Sequence, residues 1–253
     1  MSDKVLGAKR PLSGANEEAV TVWSVAECKA ALVPHNRDDK ETVTVVLEKA
    51  PLELIQMKDK RIELVNCDDH KNLLVKAGKD FSRFRPDIVH QCLLTLLDSP
   101  LNKAGKLVVY IHTEQNVLIE VSPMLRVPRT FKRFAGLMVE LLQKHKIRAA
   151  GSQDLLMKVI ANPIQKYLPA GALKVGLSVG GRLVSAPALV KENAEKKQVV
   201  FVVGAVSHDD PVKEPKYGAD YVEELVSVSN FSLSAACCCG KLCEAYENLW
   251  GIL

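Results

Sequence analysis

Long apolar runs are missing from this sequence of 253 residues. No stretch approaches the roughly 20 apolar residues that a membrane-spanning helix needs, and the first residues lack the apolar core of a secretory signal. Hydrophobic residues make up 47% and charged residues 25% of the chain, which is typical of folded globular proteins. We therefore expect a folded, intracellular protein with no membrane partner.

The cysteines and histidines follow neither a disulfide framework nor a metal-binding pattern. Four of the seven cysteines crowd one predicted helix, where neighbouring thiols cannot all pair. Within that helix, Cys239 and Cys243 lack a second pair of ligands. The run from Asp68 to His70 lacks a third partner at a suitable spacing. The sequence thus predicts reduced thiols and no bound metal.

Acidic residues are scarce in one stretch of the chain. The stretch from Arg126 to Arg148 contains seven lysines and arginines and one acid, Glu140. Its net charge of 7 − 1 = +6 is larger than the +4 of the whole chain. If this stretch is helical, Arg126, Arg129 and Arg133 share a face because their offsets are three and four. Such a face suits phosphates, and a merely solvated basic face is the alternative.

The apolar pattern predicts a tail over residues 1–40, disordered or loosely attached, and a single α/β domain over residues 41–253. Strands are predicted over 42–48, 61–67, 106–112, 117–121, 173–179 and 199–205. Helices are predicted from Pro86 to before Pro100, around Phe134 and up to Trp250. The near-continuous apolar strands of the last third indicate a parallel sheet.

Two junctions are candidate ligand sites. Gly204 directly follows an apolar strand, where a ligand could approach the backbone without meeting a Cβ. No Gly-x-Gly-x-x-Gly pattern follows it, so a plain turn is the alternative. Residues 229–234 are rich in small polar side chains at a predicted helix entrance. They either cap that helix or wall a pocket, and their spacing leaves both interpretations open.

Six motifs in one order resemble those of the Nep/Emg family. They are Val46-Leu-Glu-Lys49, Leu64-Val-Asn-Cys-Asp-Asp-His-Lys71, Arg85-Pro-Asp-Ile-Val-His-Gln91, Asp98-Ser-Pro-Leu-Asn-Lys-Ala-Gly105, Arg126-Val-Pro-Arg-Thr-Phe-Lys-Arg-Phe134 and Lys158-Val-Ile-Ala-Asn-Pro163. The resemblance covers about residues 43–253. It implies a SPOUT-like α/β fold with a C-terminal trefoil knot and family-specific N-terminal additions. Threaded chains are rare, so general rules would not predict such a knot.

The resemblance also implies an enzyme that methylates N1 of a pseudouridine in small-subunit ribosomal RNA and serves ribosome biogenesis. It implies S-adenosyl-L-methionine as methyl donor, a homodimer, pre-ribosomal assembly factors as partners, and residence in the nucleolus. An RNA-binding assembly factor whose methyl transfer is dispensable or lost is the alternative function. A ribose methyltransferase of the same fold class would share the donor pocket but lack the Arg85-Pro-Asp signature.

Family site residues carry over to matching positions of this chain. The donor-binding positions are Leu177, Gly204, Val228, Ser229, Asn230, Phe231, Ser232 and Leu233. The RNA-binding positions are Arg85, Arg126, Arg129 and Arg133. The catalytic positions are Arg85 and Asp87. Asp87 is expected to orient Arg85 by a charge-assisted hydrogen bond.

The chain departs from the family pattern at two places beside the expected donor site. Asp209 stands where relatives have a glycine, inside a longer stretch over residues 207–218. Ser232 stands where proline is usual, which adds a backbone donor and conformational freedom. We expect donor binding to persist with an altered loop.

Overall fold

A computed structural model describes residues 41–195, 198–208, 210, 212 and 220–253. The expected tail over residues 1–40 lies outside the described residues, as do Asp209 and most of the stretch 207–218. Within the described residues, no helix is both long and apolar enough to cross a membrane.

Ten strands form two sheets in the described part of the chain. They are β1 (Thr42–Ala50), β2 (Leu54–Gln56), β3 (Ile62–Leu64), β4 (Leu107–Thr113), β5 (Leu118–Val121), β6 (Lys146–Arg148), β7 (Leu155–Ile160), β8 (Leu173–Leu183), β9 (Gln198–Gly204) and β10 (Glu224–Ser227). The large sheet has the order β10-β8-β9-β1-β4-β5-β7-β6, and β2 pairs with β3 separately. The five strands from β10 to β4 are parallel, which confirms the parallel sheet predicted for the last third.

The centre of the sheet matches the apolar pattern of the sequence. Strand β1 is buried along nearly its whole length, as its near-continuous apolar run predicts. Strands β4 and β5, predicted over 106–112 and 117–121, pair antiparallel as a hairpin. The strand predicted over 61–67 is shorter, because the side chain of Asn66 accepts hydrogen bonds from the backbone N–H groups of Asp68 and Asp69 and turns the chain.

Six α-helices cover the sheet in the described residues. They are α1 (Lys71–Lys76), α2 (Pro86–Asp98), α3 (Pro100–Lys103), α4 (Phe131–Lys144), α5 (Ala186–Glu192) and α6 (Ala235–Trp250). Helix α2 starts with Pro86, whose missing N–H would have no partner in a first turn, and ends before Pro100 as predicted. Helix α4 buries the predicted apolar face at Phe134, Leu137, Met138 and Leu141. Helix α6 packs against α2 and α5 and ends at Trp250.

Candidate functional site

A cavity of about 510 Å³ opens at the carboxyl end of β9 and beside the middle of β8, where the pairing of the two strands ends. Leu177, in the last residue pair between β8 and β9, and Gly204, the last residue of β9, both line it. The segment between β10 and α6 forms one wall, and the first turns of α2 form the opposite wall. In open parallel sheets, this edge is where ligands bind.

The cavity brings together most of the predicted donor-binding residues. Its lining includes Leu177, Gly204, Val228, Ser229, Phe231, Ser232 and Leu233, and also Arg85 from the opposite wall. Asn230 is not part of the lining, although both of its neighbours are. Asp87, Arg126, Arg129 and Arg133 also do not line the cavity.

The serine-rich segment before α6 both caps the helix and walls the cavity. The Ser234 side chain accepts a hydrogen bond from the Cys237 N–H and caps α6. Ser227 Oγ donates to the Ser229 carbonyl at 2.8 Å, and Ser229 Oγ accepts from the Phe231 N–H at 3.0 Å. Both interpretations that the sequence left open therefore apply: Ser234 caps α6, and all residues from 228 to 234 except Asn230 line the cavity.

Gly204 is held by the central strand. It lies opposite Glu48 in the register of β9 and β1, and the Ala205 N–H donates to the Glu48 carbonyl at 2.8 Å. The Glu48 carboxylate is fully buried and accepts from His112 Nδ1 at 2.8 Å and from Tyr221 Oη at 2.7 Å. Tyr221 precedes β10, so Glu48 connects the end of β9 with the segment that leads into β10.

Sequence reasoning missed this cluster of Glu48, His112 and Tyr221. One signal was present, since a carboxylate inside an otherwise apolar and fully buried strand needs polar partners. The bond to Glu48 raises the pKa of His112, while burial and the neighbouring Glu48 carboxylate raise the pKa of Tyr221. Tyr221 is therefore a hydrogen-bond donor at neutral pH, as its contact with the carboxylate requires.

Arg85 and Asp87 form the ion pair that the sequence suggested at the start of α2. Arg85 Nε and Nη2 donate to the two carboxylate oxygens of Asp87 at 2.8 and 2.7 Å. The hydrogen bonds to Asp87 raise the pKa of the Arg85 guanidinium, so it stays charged. A bidentate pair fixes the plane of the guanidinium, and Arg85 lines the cavity while Asp87 holds it from outside.

The three arginines of the basic stretch do not share one helical face. Helix α4 begins only at Phe131, so Arg126 and Arg129 lie in the preceding non-helical segment and Arg133 lies on the helix. Pro128 disfavours helical backbone at the residue before it, and Thr130 is extended, with φ −101° and ψ 140°. The stretch is therefore not helical throughout, and the three arginines do not lie on one helical face. All three side chains are exposed.

The basic segment is nevertheless fastened to α2. His90 Nε2 donates to the Pro128 carbonyl at 2.7 Å, and the His90 ring stacks on Phe134 with 4.6 Å between ring centroids. Asp98, at the end of α2, pairs with Arg129 at 2.5 Å. One helix thus carries Arg85 at its start and holds the segment of Arg126 and Arg129 along its length.

Comparisons with known proteins identify the family to which the chain is similar. A family model described as EMG1/NEP1 methyltransferase matches residues 45–247. The chain is 48% identical to the ribosomal RNA small subunit methyltransferase NEP1 of Homo sapiens over 218 residues, 86% of each protein. It is 41% identical to the ribosomal RNA small subunit methyltransferase mra1 of Schizosaccharomyces pombe over 249 residues, 96% of this chain and 67% of that protein.

The fold is also similar to a solved structure. The crystal structure of Archaeoglobus fulgidus Nep1 bound to S-adenosylhomocysteine matches with a TM-score of 0.61 and 24% identity, over 83% of this chain and 99% of that one. This likeness shows a mixed α/β fold with a large, mainly parallel sheet. Because the family model covers most of the chain and both eukaryotic relatives are more than 40% identical to it, the chain belongs to the EMG1/NEP1 methyltransferase family.

Proposed function

We propose that this chain transfers the methyl group of S-adenosylmethionine to N1 of a pseudouridine in small-subunit ribosomal RNA. One observation carries the proposal: a cavity at the end of β9 and the middle of β8 combines all but one of the family's donor-binding positions with Arg85 on its opposite wall. The relatives are named as ribosomal RNA small subunit methyltransferases, and the archaeal Nep1 was solved with S-adenosylhomocysteine bound.

The cavity suits the methyl donor in size and chemistry. Its volume of about 510 Å³ lies in the range of small-molecule sites. Leu177, Val203 and Leu233 provide apolar surface for an adenine, and the backbone of residues 228–233 provides hydrogen-bonding groups for its edge. The Asp210 carboxylate also lines the cavity, where it favours a cationic ligand such as a sulfonium.

The bound donor would supply an electrophilic methyl group, and the protein's own task is to position the acceptor. Arg85 carries a charged, planar group into the cavity, where it can bind a phosphate or a carbonyl of the target nucleotide. Asp87 fixes the orientation of that group. Holding the two reactants in line supplies much of the rate enhancement, so a dedicated strong base is not required.

We further propose that the chain after β10 threads through the segment that follows the middle of β8, as the resemblance implies. Strand β10 pairs with Val175 and Gly176 and then with Arg182, so residues 177–181 have no register partner in it. A Cβ on Gly181 would lie 2.5 Å from the Val226 nitrogen, which shows how closely the two backbones approach. The Val184 N–H also donates to the Ser227 carbonyl at 2.9 Å. These contacts enclose β10 and support a knotted path.

The partners follow from the same proposal. The exposed Arg126, Arg129 and Arg133 are the expected contacts for RNA phosphates. Val179, Leu183 and Phe231 are exposed apolar side chains beside the cavity, which supports a homodimer built there. Work on small-subunit RNA implies residence in the nucleolus and contact with pre-ribosomal assembly factors.

Product analysis tests the activity directly. The full chain is incubated with labelled S-adenosylmethionine and an RNA hairpin that contains one pseudouridine, and the product nucleoside is identified by mass spectrometry. We expect N1-methylpseudouridine, and no transfer when uridine replaces pseudouridine. A methylated ribose would instead identify a ribose methyltransferase.

Calorimetric titration with S-adenosylhomocysteine tests the cavity. We expect stoichiometric binding to the wild type and none to Gly204→Val, because a branched side chain would occupy the space in which the ligand approaches the backbone. Gly136→Val, at an exposed helical position away from the cavity, is the control for the substitution. A folded wild type that neither binds S-adenosylhomocysteine nor transfers a methyl group would favour the alternative function, an RNA-binding assembly factor.

A further inference from the structure

The wall of the cavity formed by α2 carries one polar side chain to which no role has been given. Arg85, Ile88 and Gln91 line the cavity from this helix at a spacing of three residues, and at about 1.5 Å per residue they span about 9 Å. Gln91 is exposed, and its side-chain amide makes no hydrogen bond within the described part of the chain. We propose that Gln91 reads the imide edge of the target base, an inference that rests on the function proposed above.

The opposite wall leaves few groups for this task, because five of the six serine hydroxyls that line the cavity, all except that of Ser232, are already engaged. Ser178 donates to Asp210, Ser207 to the Ser82 carbonyl and Ser227 to the Ser229 carbonyl. The side chains of Ser229 and Ser234 accept hydrogen bonds from backbone N–H groups. These groups shape the donor side of the cavity.

The chemistry of the base favours a carboxamide. A pseudouridine whose N1 faces the methyl donor still presents an N3–H between two carbonyl oxygens. Recognition of that edge needs a donor and an acceptor side by side, which a glutamine side chain supplies and a serine hydroxyl cannot supply at fixed positions. Among the described residues that line the cavity, Gln91 is the one carboxamide.

The order of groups along α2 also matches a nucleotide. Arg85 provides a cation at the start of the helix, Ile88 an apolar surface, and Gln91 an amide two turns farther on. A phosphate near Arg85, a base against Ile88 and a base edge at Gln91 would lie along one wall. The donor would face them from residues 228–233.

The test compares two RNA hairpins, one with pseudouridine and one with N3-methylpseudouridine, which lacks the N3–H donor but keeps N1–H. For the wild type, we expect kcat/KM to be about ten- to a hundredfold lower on the N3-methylated hairpin. On the pseudouridine hairpin, Gln91→Leu should have a kcat/KM lower than that of the wild type by a similar factor. On the N3-methylated hairpin, its kcat/KM should be close to that of the wild type. Gln91→Glu can accept a hydrogen bond but not donate one, so its kcat/KM on pseudouridine should lie between those of the wild type and Gln91→Leu.

Matched controls separate base reading from structural damage. Gln143→Leu removes another exposed glutamine, on α4, and should leave both rates unchanged. All variants should bind S-adenosylhomocysteine and unfold like the wild type. A wild type that discriminates between the hairpins, together with a Gln91→Leu variant that discriminates by the same factor, overturns the role of Gln91 alone. A folded wild type that methylates neither hairpin overturns the proposed function and this inference with it.

Discussion

Asp87 touches Arg85 but does not line the cavity, so its replacement separates positioning from donor binding. We expect Asp87→Ala to lower turnover by about ten- to a hundredfold, because Arg85 loses its fixed orientation, and to leave donor affinity nearly unchanged. Steady-state kinetics and calorimetry measure the two effects. Asp59→Ala is a matched control, since Asp59 also pairs with an arginine two residues away, at 2.6 Å from Arg61 Nε. Equal losses of turnover and donor affinity in a stable Asp87→Ala protein would contradict the assignment.

The buried pair of His112 and Glu48 predicts a pH dependence of stability. The hydrogen bond to Glu48 raises the pKa of His112 in the folded protein above its ordinary value of 6.5. The charged pair therefore contributes its full stabilisation below pH 6.5, and this contribution is lost as the pH rises through the higher folded pKa. We expect the free energy of unfolding to decrease across that window in the wild type, and to change less in His112→Gln. Denaturant unfolding between about pH 6 and 9 measures the difference.

Glu48→Gln provides the companion measurement, because it keeps the shape of the side chain and removes the charge that stabilises the imidazolium. The variant should lose the same part of the pH dependence as His112→Gln. Its donor affinity should also fall, since Glu48 lies opposite Gly204 and holds Tyr221 ahead of β10. A pH profile of Glu48→Gln that matches the wild type would show that the pair does not set the pKa of His112.

At the scale of elements, the sequence predicted the basic composition of the segment before α4 but left its conformation open. The helical period continues backward from Phe134 in the sequence, but Pro128 and the extended Thr130 end it at Phe131. The segment is held instead by His90 and Asp98 of α2. An extended segment can present Arg126 and Arg129 to successive phosphates of a strand, so the expectation of RNA binding does not depend on a helix.

Alanine at Arg126, Arg129 and Arg133 tests that role. If each arginine neutralises one phosphate of a single-stranded loop, the slope of log affinity against log salt should flatten by roughly 0.7 per residue, about 2 in all. Donor binding should hardly change, because none of the three lines the cavity. A merely solvated basic surface would give a small loss that disappears near 0.15 M salt, where the Debye length is about 8 Å. Titration of the target hairpin at several salt concentrations distinguishes these results.

For the whole molecule, apolar periodicity predicted the buried centre of the sheet and the long helices, because these elements follow local rules of burial. The buried run of β1 illustrates such burial. The capping of α6 by Ser234 follows another local rule, which concerns hydrogen bonds at a helix start. Strand order and the meeting of Leu177, Gly204 and residues 228–233 in one cavity depend on contacts distant in sequence, which periodicity does not encode. The resemblance supplied the site residues. Neither approach indicated that Glu48 would be the link between Gly204 and Tyr221.

The proposed homodimer leads to a prediction about the surface beside the cavity. Leu183 is 55% exposed at the end of β8, near the exposed Val179 and Phe231. A charge placed in a buried apolar contact has no partner and is costly to desolvate. We therefore expect Leu183→Asp to shift the protein from dimer to monomer in sedimentation velocity, without loss of secondary structure.

Val75 on α1 is a matched control, because it is 56% exposed and apolar but lies in a different part of the molecule. Val75→Asp should leave the dimer intact. Because the apolar residues adjoin the donor cavity, the Leu183→Asp monomer should also bind S-adenosylhomocysteine more weakly, and the affinity should recover at protein concentrations that restore the dimer. A wild type that sediments as a monomer at all concentrations, or a dimer that both variants preserve, would show that this surface does not join two copies of the chain.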